Sequence, residues 1–173
     1  MYFRKLPSVE KVRSVLDYNP LTGIFIWKYN PDYPQKWNTR YAGTRAGRLS
    51  PNGHRAISIE KVRYQAHRLA WIYMTGKKPG EEIDHKNTLR DDNRWSNLRE
   101  ATSLQNKANS NLRSDNTSGS KGVHWDKSRG KWVVIVSIDR SSKNLGRFDS
   151  KEKALNVYKK YMDERFGEFS RVA

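Results

Sequence analysis

The sequence contains no cysteine, so it has neither a disulfide framework nor a thiolate zinc site. Any metal would be held by oxygen and imidazole ligands. Long apolar runs are missing too. The longest, "IFIW" and "WVVIVSI", have the length of strands, whereas a membrane span needs about 18 apolar residues or more. These absences predict a chain without a membrane segment.

Acidic residues are scarce relative to basic ones. The 173 residues include 34 Lys and Arg against 18 Asp and Glu, a formal net charge of +16. This imbalance predicts a polyanionic partner, with nucleic acid as the leading candidate. The first residues, "MYFRKLPSVEKVRS", lack the apolar block of a secretory signal, so we expect an intracellular protein.

The first 80 residues predict short elements of both kinds. Valines at helical spacing behind Ser8 indicate a helix to about Asp17, which the turn "NPLTG" ends before a strand at "IFIWK". Residues 29–52 are rich in turn formers and predict a loop with one or two short strands. "HRAISIEKVRYQA" predicts a hairpin, and "HRLAWIYMTG" predicts a core helix that Gly76 terminates.

The C-terminal part predicts a separate small domain. Residues 111–119 have almost nothing apolar to bury and indicate a linker. Beyond it, "KGVHWD", "KWVVIVSID" and "LGRFD" predict three strands separated by the turns "KSRGK" and "RSSKN", and "SKEKALNVYKKYMDERFG" predicts a helix capped by Ser150. Alternation assigns one face of the middle strand to that helix and leaves the other free. The helix-facing set is Trp132, Val134, Val136 and Ile138, and the free set is Lys131, Val133, Ile135 and Ser137.

The stretch "IDHKNTLRDDNRWSNLREATSLQN" combines residue types suited to phosphodiester hydrolysis. A neutral imidazole activates water at cellular pH, which His85 would do. A carboxylate and a side-chain amide are ligands for a hard cation, which Asp84 and an asparagine would provide. Neighbouring side chains of a strand point to opposite faces, so Asp84 and His85 converge only if the strand ends or bends there.

This stretch resembles the HNH nucleases, the ββα-metal or His-Me finger group, and specifically their phage homing-type branch. The resemblance is carried by "IDHKN", "DDNRWSNLREAT" and "QNKAN", with "AHRLAW" and "GKKPG" upstream. It implies that His85 is the general base and that Asn97 orients it and supports the loop. It further implies that Asp84 and Asn106 hold one divalent metal, Mg²⁺ or Mn²⁺.

The C-terminal domain resembles the AP2 DNA-binding domain through "SGSKGVHWDKSRGKWVVIVSI" and "LGRFDSKEKALNVY". The resemblance implies that its sheet enters the major groove of double-stranded DNA. The positions implied for DNA binding are Lys121, His124, Lys127, Arg129, Lys131, Ser137 and Arg147. Val133 and Ile135 stand where better-known members often have small or charged residues, so contact with thymine methyl groups or a purely electrostatic role are alternatives.

The remaining histidines of the N-terminal part receive no catalytic role from the sequence. His67 is interpreted as a structural hydrogen-bond donor rather than a metal ligand, and His54, which follows a glycine in a turn, is assigned no role. Trp125 and Trp132 are interpreted as packing residues rather than base stackers.

Together these observations predict an α+β protein. A β-rich lead-in and an HNH motif occupy residues 1–110, a linker occupies 111–119, and an AP2-like sheet and helix occupy 120–173. The predicted activity is metal-dependent nicking of DNA by a monomer or weak dimer, in the host cytoplasm if the protein is phage-encoded. The alternative is a DNA-binding regulator whose HNH segment is only a scaffold, and RNA binding has weaker support.

Overall fold

The computed structural model describes residues 6–139 and 141–172. Two of the sequence predictions fall partly outside the described residues. These are the first five residues of the segment predicted to lack a secretory signal, and Arg140 of the predicted turn "RSSKN". The chain divides into two compact units, Met1–Glu100 and Ala101–Ala173. The division precedes the predicted linker because Ala108, ahead of that linker, is buried in the core of the second unit.

The first unit is built from short helices and antiparallel strand pairs. In chain order the elements are α1 (Val9–Val15), β1 (Leu16–Asn19), β2 (Ile24–Trp27), α2 (Gln35–Tyr41), β3 (Arg48–Leu49), β4 (Arg55–Ile59), β5 (Val62–Gln65), α3 (Ala66–Thr75), β6 (Glu82–His85) and β7 (Leu98–Ala101). The strands form a pair β1–β2, a three-stranded sheet in the order β3–β4–β5, and a pair β6–β7.

The predicted N-terminal helix is present, but it is shorter than expected. Ser8 caps α1 by accepting a hydrogen bond from the Lys11 backbone N–H, as the sequence indicated. The predicted end near Asp17 is wrong, because Leu16 already pairs with Trp27 in the first strand pair. Cross-strand pairing here overrides the helical spacing of the apolar residues.

Helix α2 lies inside the segment predicted as loop and strand. Its aromatic residues explain it, since the Trp37 ring packs edge-on against Trp27, with centroids 5.3 Å apart. The buried Asn38 side chain donates to the backbone carbonyls of Asn30 and Tyr33 and holds the helix to the preceding turn. These contacts are tertiary, so a local reading of a Pro- and Asn-rich segment misses them.

The predicted hairpin and core helix are both confirmed. Strands β4 and β5 pair antiparallel, and α3 follows directly and ends at Gly76, which adopts the left-handed conformation with φ 69°. Leu69 and Ile72 of α3 are buried in the core of the unit, together with Val12 and Val15 of α1.

The second unit contains the three strands and the helix that the sequence predicted. It consists of α4 (Ser103–Asn109), β8 (Val123–Asp126), β9 (Lys131–Ile138), β10 (Ser141–Phe148), α5 (Lys151–Phe166) and a 3₁₀ turn (Gly167–Phe169), and the antiparallel sheet has the order β10–β9–β8. Ser150 caps α5. Strand β10 begins four residues before the predicted strand, because Ser142 and Lys143 pair with Ser137 and Val136 instead of forming a turn.

The prediction for the two faces of β9 is half confirmed. Val134 and Val136 are buried in one core with Ala154 and Tyr158 of α5, as expected. Val133, expected on the free face, is only 3% exposed. Its direct cross-strand neighbours, His124 and Arg147, flank it on that face. Within the described residues, no helix combines the length and the apolar character needed to cross a bilayer.

Candidate active site

Strand β6 ends at His85, which satisfies the geometric condition derived from the sequence. The backbone N–H of Thr88 donates to the His85 carbonyl at 2.8 Å, so the chain turns immediately after the histidine. Lys86 N–H then donates to the Asn97 carbonyl at 2.9 Å, where the chain returns towards β7. We call residues 86–97 the site loop. Asp84 and His85 are both buried at its base, with 4% and 5% exposure.

Asn93 determines which nitrogen of His85 carries the lone pair. The Asn93 amide N–H donates to the Asp91 carbonyl at 3.2 Å, which turns the amide oxygen towards His85. That oxygen lies 3.1 Å from His85 Nε2 and accepts its N–H. Nδ1 is then the basic nitrogen. Burial lowers the pKa of His85, although the hydrogen bond to Asn93 opposes this, so the neutral base form predominates near pH 7.

Asn97 supports the site loop. Its side-chain oxygen accepts from the Asn87 backbone N–H at 3.0 Å, and its amide donates to the Asn87 side chain and to the Asp92 carbonyl at 2.9 and 2.7 Å. Its described hydrogen bonds do not include His85. Sequence reasoning missed Asn93 as the contact to the imidazole, and the only available signal was its place in "DDNRW".

The Asp84 carboxylate forms a buried ion pair with Arg99 of β7. Arg99 Nε and Nη2 each lie 2.9 Å from Asp84 Oδ2, and the Arg99 side chain is about as buried as its partner. Breaking such a pair from one side typically costs about 3–5 kcal/mol. The pair therefore fixes the position of the carboxylate at the end of β6.

Asn106 lies on α4, in the second unit. Thr102 caps this helix, and a capping box with Gln105 ties its first turn. The predicted meeting of Asn106 with Asp84 around one cation remains a prediction.

Residues that precede the motif in the sequence hold the site loop by hydrogen bonds and an ion pair. The Tyr18 hydroxyl donates to the Asn93 carbonyl at 2.6 Å, and Trp95 N–H donates to the Pro20 carbonyl at 2.9 Å. Arg55 makes a two-pronged ion pair with Asp91 at 2.8 Å for each contact. The hairpin β1–β2 and the strand β4 thus position the residue that orients His85.

Three of the four histidines in the chain converge at the site. His54 comes from the turn before β4 and His67 from the start of α3, and their ring centroids lie 5.6 and 4.9 Å from that of His85. One nitrogen of each ring lies within 4.8 Å of the other two. The sequence assigned no role to His54 and a structural role to His67. The three histidines come from segments that are distant in the sequence, so no local sequence pattern predicts that they meet.

Burial affects all three rings in the same direction. It lowers the pKa of His67 well below its ordinary value, and it lowers the pKa of His54 with a further contribution from His85. Among the described residues, Nδ1 of His54 and Nδ1 of His67 have no hydrogen-bond partner. The structural interpretation of His67 as a hydrogen-bond donor is therefore unsupported at this nitrogen.

In the second unit, the strand register brings four of the seven predicted DNA-binding residues onto one face of the sheet. His124 and Arg147 are the direct partners of Val133 on either side, and Ser137 hydrogen-bonds across to Ser142 at 2.9 Å on the same face as Lys131. We call this the basic sheet face. Lys127 and Arg129 lie in the turn at its edge.

Acidic residues are interspersed on the basic sheet face. Asp126 lies 3.2 Å from Arg129 and 3.8 Å from Arg147, and Asp149 pairs with Lys131. Hydrogen bonds from Ser128 and Arg129 lower the pKa of Asp126, so it is charged near neutral pH. Three of the predicted DNA contacts are thus already paired with carboxylates.

Lys121 differs from the other predicted DNA-binding residues. Its ammonium donates to the Ala108 carbonyl at 2.8 Å, near the end of α4. Burial lowers its pKa to about 8. A half-buried amine that satisfies a helix carbonyl is placed to stabilise the second unit.

The comparison with known families identifies one segment of the chain. Residues 64–108 match the family model described as HNH endonuclease. The matched segment runs from β5 into α4 and includes Asp84, His85, Asn97 and Asn106, whereas His54 lies outside it. No curated protein and no solved structure gave a match. The family match supports a nuclease, with the site loop and its flanking strands inside the nuclease segment.

Proposed function

We propose that the protein is a metal-dependent DNA endonuclease of the ββα-metal, homing type that nicks double-stranded DNA. The observation that carries this proposal is the His85–Asn93 hydrogen bond, which leaves the basic nitrogen of a buried, neutral imidazole at the end of β6 beside Asp84. That arrangement lies inside the segment matched by the HNH endonuclease family.

The proposed reaction is hydrolysis of one phosphodiester bond. His85 Nδ1 accepts a proton from water, and the water oxygen bonds to phosphorus while the bond to the 3′ oxygen breaks. The 3′ oxygen leaves and takes up a proton, which gives 5′-phosphate and 3′-hydroxyl ends. One such centre cuts one strand, so a monomer nicks.

The proposed metal ligands are of the type that a hard divalent cation prefers. Asp84 supplies a carboxylate that Arg99 holds in place, and Asn106 supplies an amide oxygen in the proposed site. Bound there, Mg²⁺ or Mn²⁺ would stabilise charge on the leaving oxygen. Asn97 stiffens the site loop, and Asn93 orients the base.

The second unit is the proposed DNA-binding module, of AP2 type. Its basic sheet face presents His124, Lys131, Ser137 and Arg147, with Lys127 and Arg129 at the edge. Val133 is buried, with 3% exposure, so contact with a thymine methyl group would fall to the half-buried Ile135 on the same face. Lys121 supports the unit from within.

The proposed function is tested on supercoiled plasmid DNA. The purified protein with Mg²⁺ or Mn²⁺ should convert supercoiled to open-circular DNA, and EDTA should stop the reaction. DNA binding without nicking under every divalent metal would instead favour the alternative, a regulator with a non-catalytic HNH scaffold.

Asn93→Ala should slow nicking by about 10- to 100-fold, because the imidazole loses its fixed orientation. The affinity for DNA should stay unchanged, since Asn93 is buried and the basic sheet face belongs to the other compact unit. Single-turnover rates at saturating DNA measure the effect. Asn38→Ala is the matched control, because it also removes a buried asparagine side chain, one that makes three hydrogen bonds to the backbone of its own segment. Equal cleavage rates for the two variants would remove the orienting role of Asn93.

Asp126→Asn should strengthen DNA binding by about three- to tenfold, because it removes a negative charge beside the phosphates and releases Arg129 and Arg147. Arg147→Ala should weaken binding and reduce the slope of log K against log salt by about one. Asp163→Asn, with the same charge change on the exposed side of α5, is the control. Identical affinities of the Asp126 and Asp163 variants would show that DNA does not bind at the basic sheet face.

A further inference from the structure

The histidine cluster combines neighbouring rings, burial and two ring nitrogens, those of His54 and His67, that have no hydrogen-bond partner among the described residues. His54, His67 and His85 come from three separate elements, and one nitrogen of each lies within 4.8 Å of the others. His67 and His85 are almost fully buried, and His54 is half-buried. A buried ring nitrogen without a partner carries a desolvation cost that a native fold rarely leaves uncompensated.

The tautomer of His85 follows from its hydrogen bond. His85 donates from Nε2 to Asn93, which leaves its lone pair on Nδ1. Among the described residues, Nδ1 of His54 and Nδ1 of His67 have no hydrogen-bond partner, so each is open to a ligand.

We propose that His54, His67 and His85 bind one transition-metal ion of the kind that prefers imidazole, such as Zn²⁺, Co²⁺ or Ni²⁺. Three neutral imidazoles are a common donor set for these ions and a poor one for Mg²⁺. Metal-binding histidines usually donate their second ring N–H to a carbonyl or carboxylate, and the side-chain carbonyl of Asn93 serves His85 in this way.

The distances require only a small movement. Metal–nitrogen bonds of about 2.1 Å in tetrahedral geometry place the nitrogens about 3.4 Å apart. One nitrogen of each ring already lies within 4.8 Å of the others, so each separation would shorten by at most about 1.4 Å on binding. The site differs from the proposed oxygen site, whose ligands are Asp84 and Asn106.

The ion would also regulate the nuclease. His85 would be a ligand of this ion and is also the proposed general base, so an ion on its Nδ1 occupies the lone pair that water activation needs. Zinc should therefore inhibit nicking at fixed Mg²⁺. This consequence rests on the proposed function, whereas binding of the ion does not.

Binding is tested by titrating the metal-free, full-length protein with Co²⁺ and recording visible absorption. One Co²⁺ per chain should give ligand-field bands that Zn²⁺ abolishes and excess Mg²⁺ leaves intact. His54→Ala and His67→Ala should each weaken binding by about tenfold or more. His124→Ala, at the histidine outside the cluster, should bind as wild type does. Circular dichroism establishes that each variant is folded, and the half-buried position of His54 makes its variant the milder change.

Wild-type protein without Co²⁺ bands, or a folded His54→Ala variant with unchanged affinity, would overturn the metal site. Asp84→Asn should retain the bands, and their loss would place Co²⁺ at the oxygen site. In the cleavage assay, His54→Ala should need about tenfold more Zn²⁺ for half-inhibition. Co²⁺ bands with the expected histidine dependence, in a protein that never nicks DNA, would uphold the metal site and refute the nuclease. A protein that nicks DNA but does not bind Co²⁺ would uphold the nuclease and refute the metal site.

Discussion

His85→Ala is expected to slow DNA nicking by about 10²- to 10⁴-fold, the usual contribution of a positioned general base. The imidazole is buried, its Nε2 is committed to Asn93, and Nδ1 is its basic nitrogen. Among the described residues Asn93 orients only His85 in this way, so the loss should not be compensated. Single-turnover cleavage of a nicking substrate at saturating Mg²⁺ measures the effect.

Binding separates loss of chemistry from loss of fold in this variant. The affinity of His85→Ala for DNA should match that of wild type, since the basic sheet face belongs to the other compact unit. Exogenous imidazole should restore part of the cleavage rate if only the base is missing. A variant that nicks as fast as wild type would show that His85 is not the base.

Gly23→Ala is expected to damage both stability and cleavage from outside the nuclease motif. Gly23 has φ 71°, and an added Cβ would lie 2.4 Å from Arg94 N and from the Asn93 carbonyl carbon. These are backbone atoms, which cannot move aside as a flexible side chain would, so the site loop must shift. We expect a loss of about 2–4 kcal/mol from overpacking and left-handed strain together, and a cleavage rate lowered about 100-fold by the displaced base.

Gly43→Ala is the matched control for this prediction. Gly43 also has a positive φ, 78°, but nothing lies within 4 Å of an added Cβ. Only the conformational cost of about 1 kcal/mol applies, and cleavage should be unaffected. Denaturant unfolding and single-turnover rates of both variants give the comparison. Equal behaviour of the two would mean that the β1–β2 turn does not position the site loop.

The elements with strong local signals were predictable. The cap at Ser8, the hairpin β4–β5, the stop at Gly76 and the three strands and helix of the second unit follow from turn chemistry and periodicity. Helix α2 and strand β1 did not follow, because aromatic packing and cross-strand pairing between distant segments decide them.

The candidate site divides in the same way. The resemblance carried by the segment with Asp84, His85, Asn97 and Asn106 implied a nuclease, and the family match over residues 64–108 supports that class. The sequence did not predict that Asn93 orients His85, nor that His54 and His67 lie beside it.

The amino-acid sequence by itself determined the charge, the nuclease motif and most short elements, because these depend on composition and near neighbours. The tertiary structure alone decided which nitrogen of His85 is basic and which histidines surround it. Those features depend on side chains that are tens of residues apart and meet only when the chain folds. Hydrogen-bond direction and burial, which set the chemistry of an imidazole, exist only after that meeting.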